Sequence, residues 1–185
     1  MPTTSFNLSK PIVLVGMMGA GKTAIGTTLA RMIDVPFSDS DDALVKAANM
    51  TIAEIFERDG EAFFRRRETE VIERLLGDDP QILSTGGGAF MNDSNRALIT
   101  RLGVSVWLKA DLELLWSRVK HKTTRPLLRT ENPYATLSEL YDMRNPIYAK
   151  ASIAVEAQPD YSIEQMAAKV LDALVQAGHI TKEVS

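Results

Sequence analysis

Gly16-Met17-Met18-Gly19-Ala20-Gly21-Lys22-Thr23 fits the spacing G-x-x-x-x-G-K-[ST] of a phosphate-binding loop. The run ahead of it, Pro11-Ile12-Val13-Leu14-Val15, is continuously apolar and predicts a buried strand. Behind it, Ile25, Leu29, Met32 and Ile33 recur at helical spacing and predict an amphipathic helix. Such a loop works where a strand feeds a helix. Its backbone N–H groups curl into a nest that no Cβ obstructs, and the helix N-terminus adds partial positive charge. Gly19, Ala20, Gly21, Lys22, Thr23 and Ala24 would therefore cradle the phosphates of a nucleotide. Lys22 would reach the β- and γ-phosphates, and the Thr23 hydroxyl would take one Mg²⁺ position.

The rest of the composition narrows the class. A chain of 185 residues, 45% hydrophobic and 24% charged, is one ordinary α/β domain with room for a full core. A formal net charge of −3 argues against a nucleic-acid footprint or a membrane surface. Zero cysteines exclude disulfides and thiolate metal sites and fit a reducing compartment. The first nine residues are polar, without the apolar centre of a signal segment. The expectation is a cytoplasmic monomer, with its core at about 11–178, substrate-binding helices at about 41–77 and a lid at about 118–132.

Strands are predicted at Pro36 to Asp39, Ile82 to Ser84, Val104 to Leu108 and Ile153 to Val155, besides the one before the loop. Helices are expected at about 41–48, 51–58, 61–76, 93–101, 111–121 and 134–150. A final one carries Ile163, Met166, Val170, Leu171 and Leu174. Thr51 with Glu54 forms a capping-box pattern at the start of the second. Five strands alternating with helices imply a parallel sheet covered on both faces. Ligands in such folds sit beyond the carboxyl ends of the strands. The phosphate loop, Asp39 and Gly86-Gly87-Gly88 each follow a strand, so they should converge on one crevice.

Four groups could carry chemistry there. In Asp39-Ser40-Asp41, one carboxylate could support Mg²⁺ and the other accept a hydroxyl proton, or Asp39 could end a strand while Asp41 or Asp42 caps a helix. Thr85-Gly86-Gly87-Gly88 suits close approach of a ligand to main-chain N–H groups; the alternative is a flexible connection. Glu61, Arg65 and Glu68 share one helix face and could hold Arg65 as an anion-binding fork, or could form a solvated charged face, as Arg66 and Arg67 do. Arg118, Lys120, Lys122, Arg125 and Arg129 lie in or beside a polar, proline-broken loop over 121–133. That loop is either a lid that brings an Arg to the transferring phosphoryl group or a plain surface segment. Trp107 and Trp116 read as packing groups, and His121 and His179 are isolated.

In order and spacing these pieces resemble the shikimate kinase family. The matching residues are Gly16–Thr23, Asp39-Ser40-Asp41, Gly60-Glu61-Ala62-Phe63-Phe64-Arg65, Gly86-Gly87-Gly88, Thr124-Arg125-Pro126-Leu127-Leu128 and Arg144-Asn145-Pro146-Ile147-Tyr148. The resemblance implies a three-layer nucleoside-monophosphate-kinase-like fold with a five-stranded parallel sheet in the order 2-3-1-4-5. It implies MgATP-dependent phosphorylation of the 3-hydroxyl of shikimate, on the route to chorismate and the aromatic amino acids. Carried over, Asp41 would bind substrate hydroxyls and act as the base, and Asp39 would support Mg²⁺ through water. Arg65 and Arg144 would clamp the shikimate carboxylate, with Gly86, Gly87 and Gly88 contacting substrate. Arg125 would be the lid residue on the phosphates, and Arg118 and Pro159 would flank adenine. Rival readings are a gluconate or nucleoside monophosphate kinase of the same fold, or a nucleotide switch. Against the last, the chain has no Asn-Lys-x-Asp guanine-reading motif.

Overall fold

The computed structural model describes residues 2–122 and 126–185. The buried run Ile12–Val15 forms β2 and pairs on both sides, with β4 (Ile82–Ser84) and β5 (Val104–Lys109). β3 (Phe37–Asp39) adds beyond β4, and β6 (Ile153–Glu156) beyond β5, every pairing being parallel. The order β3-β4-β2-β5-β6 is the expected 2-3-1-4-5 when these five strands are counted along the chain. Parallel pairing needs crossovers, supplied by α1 (Lys22–Met32), α2 (Ser40–Ala48), α3 (Ile52–Gly77), α4 (Asp93–Leu102), α5 (Leu112–Val119) and α6 (Pro133–Tyr148). α7 (Ile163–Gln176) follows β6 and packs against α1.

β2 can be apolar at every position because helices cover both faces of the sheet; Ile12, Val13 and Leu14 are fully buried. On α1 the buried stripe is Ile25, Leu29 and Ile33, whereas Met32, expected with them, is 38% exposed. Ile163 likewise turns outward on the first turn of α7, while Met166, Val170, Leu171 and Leu174 are buried. A capping box closes that helix, with Ser162 and Gln165 exchanging hydrogen bonds with each other's backbone.

Two expectations need correction. The helices read separately at 51–58 and 61–76 are one 26-residue element bent at Gly60, whose φ of 85° and ψ of 169° lie outside helical space. The glycine was a correct sign of a break, but the chain resumes its helix directly. The expected core of about 11–178 leaves out both ends of the chain, yet β1 (Thr4–Leu8) and β7 (Ile180–Val184) form a separate antiparallel ribbon whose Ile180 is buried. Neither segment signals a strand alone, because each finds its partner at the opposite end of the sequence.

Candidate active site

Three glycines shape the phosphate loop. Gly16, Gly19 and Gly21 have φ of 150°, 84° and 87°, a region costly to residues with a Cβ. Gly21 immediately precedes α1, so the free N–H groups of the helix's first turn open towards the loop. The Lys22 ammonium donates to the carbonyls of Gly16 at 2.6 Å and Met17 at 3.0 Å, which holds it across the loop. Arg118 on α5 donates to the Gly19 carbonyl at 3.0 Å. A cavity of about 700 Å³ opens here, lined by Lys22, Thr23, Ala24, Asp39, Asp41, Gly86 and Gly87, with Arg118, Lys122, Ala157, Tyr161 and Ser162 also in its wall. Pro159, expected beside adenine, is exposed and does not line this cavity.

Asp39 ends β3 and is itself the cap of α2, the role that the alternative reading gave to Asp41 or Asp42. Its Oδ1 accepts from the backbone N–H of Asp41 (2.9 Å) and Asp42 (3.1 Å), capping α2. Its Oδ2 faces the Thr23 hydroxyl at 3.5 Å. Among the described residues no cluster of three or more acidic, histidine or cysteine ligands exists. One hydroxyl and one carboxylate beside a phosphate loop nevertheless suit Mg²⁺, which keeps several waters and takes the rest of its oxygens from phosphates. Asp42 is exposed, so Asp41 is the carboxylate that enters the cavity. Burial first, then the charges of Asp39 and Glu68, push Asp41 up to about 6; Lys22 and Arg65 pull the other way.

Gly86, Gly87 and Gly88 each face a different functional side chain. A methyl group on Gly86 would lie 2.7 Å from Asp41 Oδ2, on Gly87 2.8 Å from Arg144 Nη1, and on Gly88 2.6 Å from Arg65 Nη2. None of the three has a positive φ. These residues are glycine for space, because Asp41, Arg144 and Arg65 lie against the backbone one after another. Thus the feature expected to admit a ligand first admits three side chains of the protein itself. The two guanidinium groups lie against Gly87 and Gly88; of these four residues only Gly87 lines the cavity.

Of the two readings open for Arg65, the structure shows the held one. Glu68, only 2% exposed, accepts from Arg65 Nη1 at 2.9 Å, and Glu61 lies 3.8 Å from Arg65 Nε. Burial raises the Glu68 pKa from its ordinary value, while the Arg65 charge and hydrogen bonds from Arg65 and Asn95 lower it. Arg67 pairs with Glu70 in solvent, as expected of that face. Arg125 lies outside the described residues; of the expected lid, Lys122 lines the cavity and Leu128 is buried.

Sequence reasoning missed two supports of this site. Asn95, fully buried on α4, donates to the Ala89 carbonyl at 2.9 Å and accepts from the Thr69 hydroxyl at 2.7 Å, joining the glycine loop to α3. Tyr148, 1% exposed, donates to the Gly87 carbonyl at 2.5 Å. Asn95 has no local signal, since only the folded chain shows that its side chain turns inward. Tyr148 stood in the motif around Arg144, four residues on and hence on the same helix face, which was the available clue.

Comparisons agree with this geometry. The family model for shikimate kinase matches residues 18–175. A shikimate kinase from Cereibacter sphaeroides is 60% identical over 167 residues, covering 90% of this chain and 83% of that protein. One from Ruegeria pomeroyi is also 60% identical over 167 residues, covering 90% and 86%. The solved structure of an Acinetobacter baumannii shikimate kinase in complex with shikimate superposes with a TM-score of 0.85 at 37% identity, covering 91% of this chain and 94% of that one. With the parallel sheet, the phosphate loop and the Asp41–Arg65–Arg144 constellation already in place, these matches show that the chain belongs to the shikimate kinase family of small-molecule phosphotransferases.

Proposed function

We propose that the chain transfers the terminal phosphoryl group of ATP to the 3-hydroxyl of shikimate, giving shikimate 3-phosphate and ADP. The observation that carries this reading is the glycine triplet, which sets one carboxylate and two guanidinium groups side by side next to a phosphate loop. Shikimate is a carboxylic acid with three hydroxyls, so it asks for an anion clamp and a hydroxyl acceptor. Arg65 and Arg144 supply planar forks for the carboxylate. Asp41 accepts the proton of the attacking hydroxyl as its oxygen bonds to phosphorus and the bond to the ADP oxygen breaks. A carboxylate raised to about 6 is suited to that exchange near neutral pH.

The backbone from Gly19 to Ala24, with Lys22, would bind the ATP phosphates, and Arg118 would lie beside the nucleotide. Arg125 would reach the phosphates from the lid. Thr23, and Asp39 through water, would hold Mg²⁺. When bound, the metal neutralises charge on the phosphate oxygens. No described helix is long and apolar enough to cross a membrane. A coupled assay with MgATP tests the reading: shikimate is turned over, while AMP, CMP and gluconate are not. Turnover of a nucleotide alone would overturn it. Lys22→Ala should abolish turnover, and near-normal kcat would remove the loop from the mechanism.

A further inference from the structure

The two arginines of the acceptor site are held in different ways. Arg65 has Glu68 at 2.9 Å and Glu61 at 3.8 Å, so its charge is largely balanced within the protein. Arg144 has no ion pair among the described residues; its Nη1 and the phenol oxygen of Tyr148, one turn further along α6, both lie against Gly87, 2.8 and 3.7 Å from where a Cβ would stand. The Tyr148 O–H donates to the Gly87 carbonyl at 2.5 Å, and the neighbouring Arg144 guanidinium acts on the phenol electrostatically. We propose that Tyr148 is a positioning residue, whose hydroxyl aims the Arg144 guanidinium at the substrate carboxylate while leaving its positive charge uncompensated. This rests on the reading of Arg144 as a carboxylate clamp.

Three observations carry the proposal. The first is rigidity. The Tyr148 ring is 1% exposed and packs against Phe90 (centroids 6.5 Å apart, planes 22° apart) and Trp107 (6.1 Å, 33°), so the hydroxyl occupies a fixed point. The second is the tight seat of Arg144, whose Nη1 would lie 2.8 Å from a methyl on Gly87. A guanidinium so close to the backbone needs a second constraint to stop it swinging away, and the phenol supplies one. The third is protonation. Burial pushes the Tyr148 phenol up to about 12, against the opposing pull of Arg144, so it stays a neutral donor and acceptor throughout the working pH range. A carboxylate in its place would orient Arg144 equally well but would cancel the charge that the substrate needs.

Tyr148→Phe removes one oxygen and keeps the ring. Losing an orienting contact with a charged group predicts a KM for shikimate raised about five- to tenfold. KM for ATP should stay within about twofold of wild type, since the ATP loop is untouched. In the Arg144→Ala background, Tyr148→Phe should add nothing further to the KM for shikimate, because the hydroxyl acts through Arg144. Thermal unfolding of each variant checks that the fold is kept. Equal rises in both KM values would mark Tyr148 as merely structural and overturn the proposal. Independent, multiplicative effects of the two substitutions would overturn it as well. If Arg144→Ala raises the KM for shikimate and Tyr148→Phe does not, the proposal falls and the clamp stands. If Arg144→Ala itself leaves that KM unchanged, the clamp reading fails and the proposal with it.

Discussion

Burial and the charges of Asp39 and Glu68 hold the Asp41 carboxylate up to about 6, and this has opposite consequences for catalysis and for stability. As a base Asp41 must be deprotonated, so kcat/KM for shikimate should rise with pH through about 6 and level off above it. The folded state binds the proton more tightly than the unfolded chain, whose value is near 3.8. Its stabilising contribution is therefore complete below 3.8 and lost as pH rises through about 6. Asp41→Asn should then lower kcat at least about 100-fold and yet stabilise the fold at pH 8 by on the order of 1–3 kcal/mol. Thermal unfolding at pH 8 and pH 4 checks it, the gain being confined to the higher pH. Equal melting temperatures for wild type and variant at pH 8 would show that Asp41 is not strained by its surroundings. Gly86→Ala tests the same carboxylate from its other side. The added methyl lies 2.7 Å from Asp41 Oδ2, so the acid must move. A displacement of about 1 Å can cost 100-fold in rate. Turnover should collapse while binding of ADP, read by calorimetry, persists.

At the scale of single elements, α3 shows how a break in a helix positions a site. Gly60 takes a φ of 85° with nothing within 4 Å of where a Cβ would stand. Substitution there meets no clash and pays only for a backbone region that is essentially glycine's alone, about 1–3 kcal/mol. Gly77, at the end of the same element, also has open space but no positive φ. Gly60→Ala should thus destabilise by that amount, whereas Gly77→Ala should be neutral or stabilising by up to about 1 kcal/mol. Urea unfolding of the two variants decides it, and equal effects would rule out conformational strain at the bend. The bend matters because it sets the direction of the turns that carry Arg65 and Glu68 apart from that of the first turns, where Ile55 is buried. Gly60 was readable as a break, but its geometry was not. Whether a glycine ends a helix or bends it depends on what the next turns pack against, here Phe64, Val71 and Leu75 on the buried face. The reason for Gly86–Gly88 was hidden likewise. Spacing showed three unusual glycines, but only the fold brings Asp41, Arg144 and Arg65 from α2, α6 and α3 onto them.

Across the whole molecule, legibility followed the distance over which a residue's partner lies. The five sheet strands were legible because apolar runs act locally, whereas their order came from the family resemblance. The Arg65–Glu68 pair was legible because its members are three residues apart. The β1–β7 ribbon was not, since Leu8 pairs with Ile180 across nearly the full length of the chain. That ribbon yields the last prediction. Ile180 is 1% exposed, while Phe6 and Leu8 pack partly buried against the core. Deleting residues 1–9 uncovers Ile180, unpairs β7 and withdraws Phe6 and Leu8. With each large buried side chain worth about 1.5–3 kcal/mol, a loss of roughly 3 kcal/mol is expected, and for this chain length it should lower Tm by about 6–12 °C. None of these residues lines the cavity. KM for both substrates should therefore stay within about twofold at a temperature well below the new transition. An unchanged Tm would mean that the ribbon is decoration on the core. A raised KM for ATP alone would mean that it steadies the phosphate loop through α7 and α1, the two helices that join it to Lys22.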